Sequence, residues 1–287
     1  MKLSIIIPAK NEEEGLKLLI PSLKEALQPF EIIIVNDGST DGTERICSLH
    51  NLKEVKHSYS KGNGAAIKSG ARMAKGDVFL FMDGDGQHRP EDVIKLVETY
   101  SNENHDMIVG ARGQESQASI ARLFGNGLYN RVATYMTGHK IDDLTSGLRI
   151  VDAKKFKQFL YLLPNGFSYP TTCTMAFFKA GYSVKYLPIV APKRVGTSHL
   201  NIVRDGGRFF LIIFKIGTLY SPLKLFFPTS LFFFILGVLY YVYTYMADGR
   251  FTNMGMLLFT TSILIFLLGL ISEQITSLLY RSDGNDN

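Results

Sequence analysis

The chain has 287 residues, of which 46% are hydrophobic and 20% charged, with a formal net charge of +5. These values suit a globular core and allow one large domain or two small ones, and the mild basic excess suits an anionic partner, whether nucleic acid, lipid phosphate or membrane surface. The two cysteines, Cys47 and Cys173, lie far apart and match no metal or redox spacing, which excludes a thiolate metal centre and reads as reduced thiols. The apolar residues are spread unevenly: the chain reads as a soluble domain up to about Phe226 and as almost wholly apolar beyond it. The opening "MKLSIIIPAKNEEEG" is not expected to be a signal peptide, because its apolar run, Leu3 to Pro8, is too short.

"LSIIIP" (3–8) is a β-branched run closed by proline and predicts a buried strand. Residues 12–27 predict an amphipathic helix with Leu16, Leu19, Ile20, Leu23 and Leu27 near one face. "EIIIV" (31–35) predicts a second strand, after which Thr40 or Asp41 is placed to cap a helix. A weak third strand is expected over "KEVKHSY", a helix over 64–74, a fourth strand over "DVFLFM", a helix over 90–100 and a fifth strand over "HDMIVG". Strands alternating with helices imply an α/β fold with a parallel sheet covered on both faces. Ligands bind such sheets at the carboxyl ends of the strands. "IIIPAKNE", "IIIVNDGSTD" and "FLFMDGDGQ" each put a polar cluster there.

The tail follows a different pattern. Ile202 to Tyr220 reads as an interfacial segment, with Arg204, Arg208 and Lys215 on one helical stripe. Phe226–Met246 is a run of 21 uncharged residues, Met254–Ser272 a run of 19, and the apolar pattern continues to Tyr280. Each run is long enough to cross a bilayer, and the connection "ADGRFTN" makes a tight hairpin. Arg204, Arg208, Lys215 and Lys224 precede it and Arg281 follows, against Arg250 alone in the connection, so the basic flanks place the soluble part in the cytosol. Glu273-Gln274 lies inside the second span. An ionisable residue there points to function or assembly, and helix–helix packing with oligomerisation is the reading favoured here.

"DGDGQHRPED" ends the fourth strand in two aspartates. The calcium-loop pattern fails, since its sixth position is His88 rather than glycine and its twelfth is Ile94 rather than glutamate. Two readings remain: Asp83 and Asp85 make a tight turn and cap the next helix, or they hold a cation to which Gln87 adds a neutral oxygen. Few hard oxygens suggest Mg²⁺ or Mn²⁺, with substrate phosphate completing the shell.

The ordered set "IIIPAKNEEEG", "IIIVNDGSTDGT", "GNGAAIKSGARMAKGD", "DGDGQHRPED", "VGAR", "DLTSGLRI" and "KRVGTSHLN" resembles family 2 glycosyltransferases of the GT-A fold. More narrowly it resembles the polyprenyl-phosphate glycosyltransferases, a group that includes dolichyl-phosphate mannose synthase and bacterial undecaprenyl-phosphate sugar transferases. The resemblance covers roughly residues 1–200 and, by architecture, the tail. It implies a Rossmann-like, mostly parallel GT-A domain over 1–200, an amphipathic segment over 201–224, two transmembrane helices within 225–280 (about 226–246 and 254–280) and a cytosolic tail at 281–287. By position it implies that Pro8, Ala9 and Glu12 line the nucleoside pocket, that Asp37 is the acid that binds the nucleoside, and that Asp83 sits near the ribose and diphosphate. Asp85 and Gln87 match the metal ligands, and Arg194 and Ser198 match a loop over the donor phosphates. Arg112, Arg122 and Asn126 match the groups that hold the acceptor phosphate, with "GAR" on the side away from the two aspartates. Asn36 stands where many relatives carry a second aspartate, and His199 where they carry a lysine.

The activity so implied is inverting, metal-dependent transfer of a sugar from a UDP- or GDP-linked donor to undecaprenyl or dolichyl phosphate on the cytosolic leaflet. It would be carried by an integral protein of the cytoplasmic or endoplasmic-reticulum membrane, alone or as a homo-oligomer, with no nucleic-acid partner. Three rivals are weighed against it. A processive polysaccharide synthase would carry Q-x-x-R-W, and the chain has no tryptophan. A non-catalytic nucleotide-sugar binder would have lost Asp85 or the arginines. A transferase acting on another glycan or lipid acceptor needs a carboxylate base, for which Asp142 and Asp143 are the candidates. Among the arginines, one of Arg122 and Arg131 is expected on a solvated face, and Arg149 to brace the acceptor loop or pair with Asp142 or Asp143.

Overall fold

The protein is described by a computed structural model over residues 1–26, 30–86, 88–113, 120–166, 169–190, 214 and 217–281, with the side chains of 120–126, 248 and 279–281 left undescribed. The chain forms two compact units, Met1–Tyr135 with His139–His199, and Met136–Gly138 with Leu200–Asn287.

In the first unit the described strands form one seven-stranded sheet in the order β3-β2-β1-β4-β6-β5-β7. They are β1 Leu3–Ala9, β2 Glu31–Asn36, β3 Lys53–Lys56, β4 Val78–Phe81, β5 Met107–Arg112, β6 Arg149–Asp152 and β7 Val184–Ile189. The helices are α1 Glu13–Ala26, α2 Thr43–Leu49, α3 Asn63–Met73, α4 Pro90–Asn102, α5 Ile120–Thr137, α6 Ala153–Gln158 and α7 Tyr169–Lys179. Pairing is parallel throughout except at β6, which runs antiparallel to both β4 and β5. The sheet is thus mostly parallel, as expected, with one reversed strand. Its sequence, "RIVD", is short and shows no periodicity that reports direction.

Ile5, Ile6 and Ile7 are all fully buried, as a central strand covered on both faces requires. One face packs α1, α2 and α4 on Ile5, Ile7, Ile34 and Leu80 through Leu16, Leu19, Ile20, Leu23, Ile46, Val93 and Leu96. On the other face α3 approaches β1 and β2 so closely that a Cβ at Gly70 would strike the Ile6 side chain. Phe79 and Phe81 of β4 form an aromatic cluster there with Phe156 and Tyr169. The third strand is shorter than its sequence pattern, because the His57 side chain turns back to Asp37. The expected cap of α2 also differs. Gly42 is the N-cap, while Asp41 accepts from the Thr43 amide at 3.0 Å through one oxygen and from the Glu13 amide at 3.0 Å through the other.

The second unit is dominated by a hairpin of α8 Pro222–Asp248 and α9 Asn253–Arg281. Both are long and apolar enough to cross a membrane, and only 11% and 17% of their most apolar stretches are buried. That exposure sets them apart from the core helices of a soluble protein. Their polar side chains turn inward: the hydroxyls of Ser230 and Ser262 each donate to the other residue's carbonyl at 2.9 Å. Glu273 Oε2 accepts from the Leu223 amide at 3.2 Å. A carboxylate on α9 thus caps the first turn of α8, where the amides lack helical partners and the helix dipole favours negative charge. Next to it, the Met136 carbonyl accepts from Ser221 Oγ at 3.2 Å and Lys224 Nζ at 3.0 Å.

Candidate functional site

The C-terminal ends of β1, β2 and β4 lie side by side, and the loops that leave them are knitted together. Asn11, held at a left-handed φ of 56°, accepts from the Thr40 amide at 2.8 Å. Its own amide donates to Ser39 Oγ at 3.0 Å. The Glu12 amide donates to Thr43 Oγ1 at 3.2 Å, and the Gly42 amide to Glu13 Oε2 at 2.9 Å. Pro8 is half-buried and Ala9 buried on the same lip, where the Ala9 carbonyl accepts from the Asp37 amide at 2.9 Å.

Asp37 is 4% exposed, and both its oxygens are taken. Oδ1 accepts from His57 Nδ1 at 2.6 Å and the Lys61 amide at 2.8 Å. Oδ2 accepts from Ser60 Oγ at 2.8 Å and the Gly62 amide at 2.9 Å. Burial alone would raise this carboxyl, but the donors, His57 foremost, outweigh it and hold it at about 2. A carboxylate has about four acceptor positions, and here four protein donors fill them. Asn36 is likewise engaged, donating to Glu54 at 2.8 Å and accepting from the Ser39 amide at 2.9 Å.

At the end of β4, Asp83 and Asp85 flank Gly84, with Gly86 at a φ of 70°. The next helix, α4, has Arg89 as its N-cap, and the Arg89 side chain makes no capping hydrogen bond. The loop is pressed between two glycines that have room for no side chain. A Cβ at Gly15 would overlap the Gly84 carbonyl and the Asp85 backbone, and one at Gly147 would overlap the Asp83 carboxylate. Burial would raise the Asp83 carboxyl. The His88 ring and the charges of Arg112 and Arg149 outweigh it and hold Asp83 below the usual carboxylate range.

The segment "DLTSGLR" organises the far side. Asp143 takes Arg112 in a fork, with Nε to Oδ2 at 2.8 Å and Nη2 to Oδ1 at 3.1 Å, and Thr145 Oγ1 accepts from Nη2 at 2.8 Å. Burial would lower the Arg112 guanidinium, but Asp143 reverses this and raises it. Asp143 is correspondingly held low by Arg112 against its own burial. Arg112 also feels the charges of Asp83 and Asp85. The inserted β6 lets β5 end at the same edge as β4. Arg149 pairs with neither Asp142 nor Asp143. It is fully buried, with Nη1 donating to the Pro170 carbonyl at 2.9 Å and Nη2 to the Ser146 carbonyl at 2.5 Å, and it stacks its charge over the Tyr169 ring. Asp142 pairs with Lys140 at 3.0 Å on the surface, and Arg131 is exposed.

Asp37, Asp83, Asp85 and Arg112 thus gather on one strand edge with Pro8, Ala9 and Glu12. Gln87, Arg194, Ser198, His199 and most of the expected interfacial segment lie outside the described residues, and so do the side chains of Arg122 and Asn126. Sequence reasoning missed Asn11, Gly15, His57 and Gly147 and did not foresee the Arg112–Asp143 pair. Only the glycines gave a signal, as residues without a turn to explain them. Among the described residues no three His, Cys, Asp or Glu side chains converge as a metal set. Two strand-end carboxylates still fit a hard cation such as Mg²⁺ or Mn²⁺, which takes few protein oxygens and fills its shell from phosphate and water.

The profile of glycosyl transferase family 2 matches residues 4–160. The chain belongs to glycosyl transferase family 2. A second profile, the GtrB C-terminal hairpin, matches residues 221–278. The chain is 39% identical over 118 residues to the dolichol-phosphate mannosyltransferase of Pyrococcus furiosus, covering 39% of this chain and 33% of that one. It is 32% identical to the undecaprenyl-phosphate 4-deoxy-4-formamido-L-arabinose transferase of Proteus mirabilis, covering 58% of this chain and 56% of that one. The chain therefore matches only about a third to a half of the length of these two relatives. CsbB of Bacillus subtilis, itself only provisionally assigned as a glycosyltransferase, is 25% identical over 98% of this chain and 88% of its own. Among solved structures, glucosyl-3-phosphoglycerate synthase of Mycobacterium tuberculosis with Mn²⁺, UDP-glucose and phosphoglyceric acid superposes with a TM-score of 0.60 at 17% identity. That match covers 75% of this chain and 78% of the other and supports the GT-A-like fold.

Proposed function

We propose that this protein transfers a sugar from a UDP- or GDP-linked donor to a polyprenyl phosphate, inverting the anomeric centre with the help of Mg²⁺ or Mn²⁺. In this reading residues 1–200 are the cytosolic catalytic domain, 201–224 an interfacial segment, 225–280 the membrane hairpin and 281–287 a cytosolic tail. Pro8, Ala9, Glu12, Asp83, Arg194 and Ser198 serve the donor, with Asp37 bracing the pocket. Asp85 and Gln87 hold the cation, and Arg112, Arg122 and Asn126 hold the acceptor phosphate.

The observation that carries the reading is the fork between Arg112 and Asp143 beside Asp83 and Asp85. A hydroxyl acceptor needs a base, and the two candidate carboxylates are both spent. Asp143 is locked by Arg112 and held below its ordinary range, which makes it a poor base, and Asp142 is paired with Lys140. A phosphate monoester needs no base, because with a second pKa near ~6 it is largely a dianion at neutral pH. What it needs is a positioned cationic N–H donor, and Arg112, oriented by Asp143 through Nε and Nη2 and 32% exposed, is suited to supply one through Nη1. Arg112 then steers the dianion in line with the anomeric carbon, opposite the nucleotide. When bound, the cation neutralises charge on the departing diphosphate. The relatives named above as acting on dolichol and undecaprenyl phosphates and the apolar exterior of the hairpin point to the same acceptor.

The deciding experiment incubates membranes containing the protein with a panel of nucleotide sugars and a polyprenyl phosphate and weighs the lipid product by mass spectrometry. A lipid gaining one sugar is the expected result. Transfer only to a glycan hydroxyl would overturn the proposal.

A further inference from the structure

His88 is 7% exposed, and among the described residues neither ring nitrogen has a hydrogen-bond partner. Buried polar groups in folded proteins are nearly always satisfied, because an orphaned one forfeits its water without replacement. Its Nε2 lies 3.6 Å from Asp83 Oδ2. That is too long for a hydrogen bond, yet short by only a few tenths of an ångström. Asp83 is confined on another side by the backbone at Gly147, and the charges of Arg112 and Arg149 act on it. Among the described residues this ring makes no other hydrogen bond.

We propose that His88 is a positioning residue for Asp83. Its Nε2–H engages Oδ2 when the carboxylate makes the last small turn, and the other oxygen is presented to the nucleotide-sugar donor. The inference rests on the reading of Asp83 as a donor-site residue. Two atoms that share a cation can also stand about this far apart, but among the described residues no third His, Cys, Asp or Glu completes such a set. The geometry therefore favours positioning over direct ligation.

A double-mutant cycle on the full chain in detergent tests it. UDP and GDP, each with Mn²⁺, are titrated by calorimetry into wild type, His88→Ala, His88→Gln, Asp83→Ala and the His88→Ala/Asp83→Ala double variant, with thermal unfolding as the check on folding. We expect His88→Ala to weaken binding of the preferred nucleotide about tenfold. His88→Gln, whose amide can still donate, recovers most of the loss and stands in if the alanine variant fails to fold. In the Asp83→Ala background the His88 change adds less than about twofold, since coupled residues are non-additive. An equal loss in both backgrounds would mean an independent contact with nucleotide or cation and overturns the proposal, as does no loss in either. If Asp83→Ala leaves binding untouched, or neither nucleotide binds, the donor-site reading is what fails. The coupling is then decided from the ring resonances of His88 in histidine-labelled protein: a shift on Asp83→Ala sustains it and unmoved resonances refute it.

Discussion

In the sheet unit Ile5, Ile6 and Ile7 are wholly buried while charge collects at the strand ends; in the hairpin the arrangement is reversed. Phe232, Leu239 and Leu278 are 62%, 63% and 66% exposed, while Ser230 and Ser262 are 7% and 3% exposed and bond to one another. The contrast is the one that two solvents, water and hydrocarbon, would produce. Water competes for every polar group at the sheet edge, so a charge left there is available to a ligand. Hydrocarbon offers no hydrogen bonds, so a polar group in a spanning helix must find its partner in protein. In the hairpin, Glu273 is engaged by the amide of Leu223. Glu273 therefore reads as a joint between helices rather than a reacting group. Asp37, although in the sheet unit, behaves like Glu273, since four protein donors occupy it.

The sharpest break of this contrast is Asp85→Asn. It should lower sugar transfer roughly 10²- to 10³-fold, the scale of losing several kcal/mol of charge stabilisation, with an unchanged thermal midpoint. Full activity in excess EDTA or in the variant would return Asp85 to the structural class. Arg112→Ala should weaken use of the lipid phosphate about 10- to 100-fold, the scale of one charge-assisted hydrogen bond, measured as initial rate against polyprenyl phosphate. It should also lower stability, because Asp143 is left buried and unpaired. Removing Asp143 as well should restore stability but not acceptor use.

Asp37→Asn tests the group that crosses the divide. An amide can accept only half of what the carboxylate accepts, so the variant should lose about 1–3 kcal/mol of stability in a denaturant titration. If nucleotide binding collapses while stability holds, Asp37 is a ligand contact after all. Its folded pKa of about 2 lies below the ordinary 3.8, so its stabilisation is present above 3.8 and lost as pH falls toward 2. Wild type should therefore shed stability across that acid window, and the asparagine variant should shed less. The smallest effect belongs to Glu273→Ala, expected to cost about 0.5–2 kcal/mol as a lost helix cap, read as a lower midpoint in detergent. Glu273→Gln, which keeps an acceptor oxygen, should retain most of it.

Much of the site was legible because it follows local rules. A β-branched run that ends in clustered polar residues is a strand reaching a sheet edge, so Pro8, Asp37, Asp83 and Asp85 could be placed in order along the chain. The two long apolar helices were legible for the same reason, since their length and apolar composition are properties of single segments. What a residue does with its charge could not be read this way, because that depends on partners distant in sequence. Arg112 and Asp143 are 31 residues apart, and they meet only because β6 reverses direction between β4 and β5. Arg149, expected to brace the acceptor loop or pair with an aspartate, does hold that loop through the Ser146 carbonyl, but from the core, where it also binds the Pro170 carbonyl. Asp37 was filled by a histidine and a turn 20 to 25 residues on.

Periodicity, turn residues and apolar length thus determined the strand and helix pattern, the edge where chemistry gathers and the apolar hairpin, since each is set by neighbours along the chain. Only the tertiary structure decided which polar groups face a ligand and which face one another, since hydrogen bonds and charge pairs are short-ranged in space and indifferent to separation in sequence.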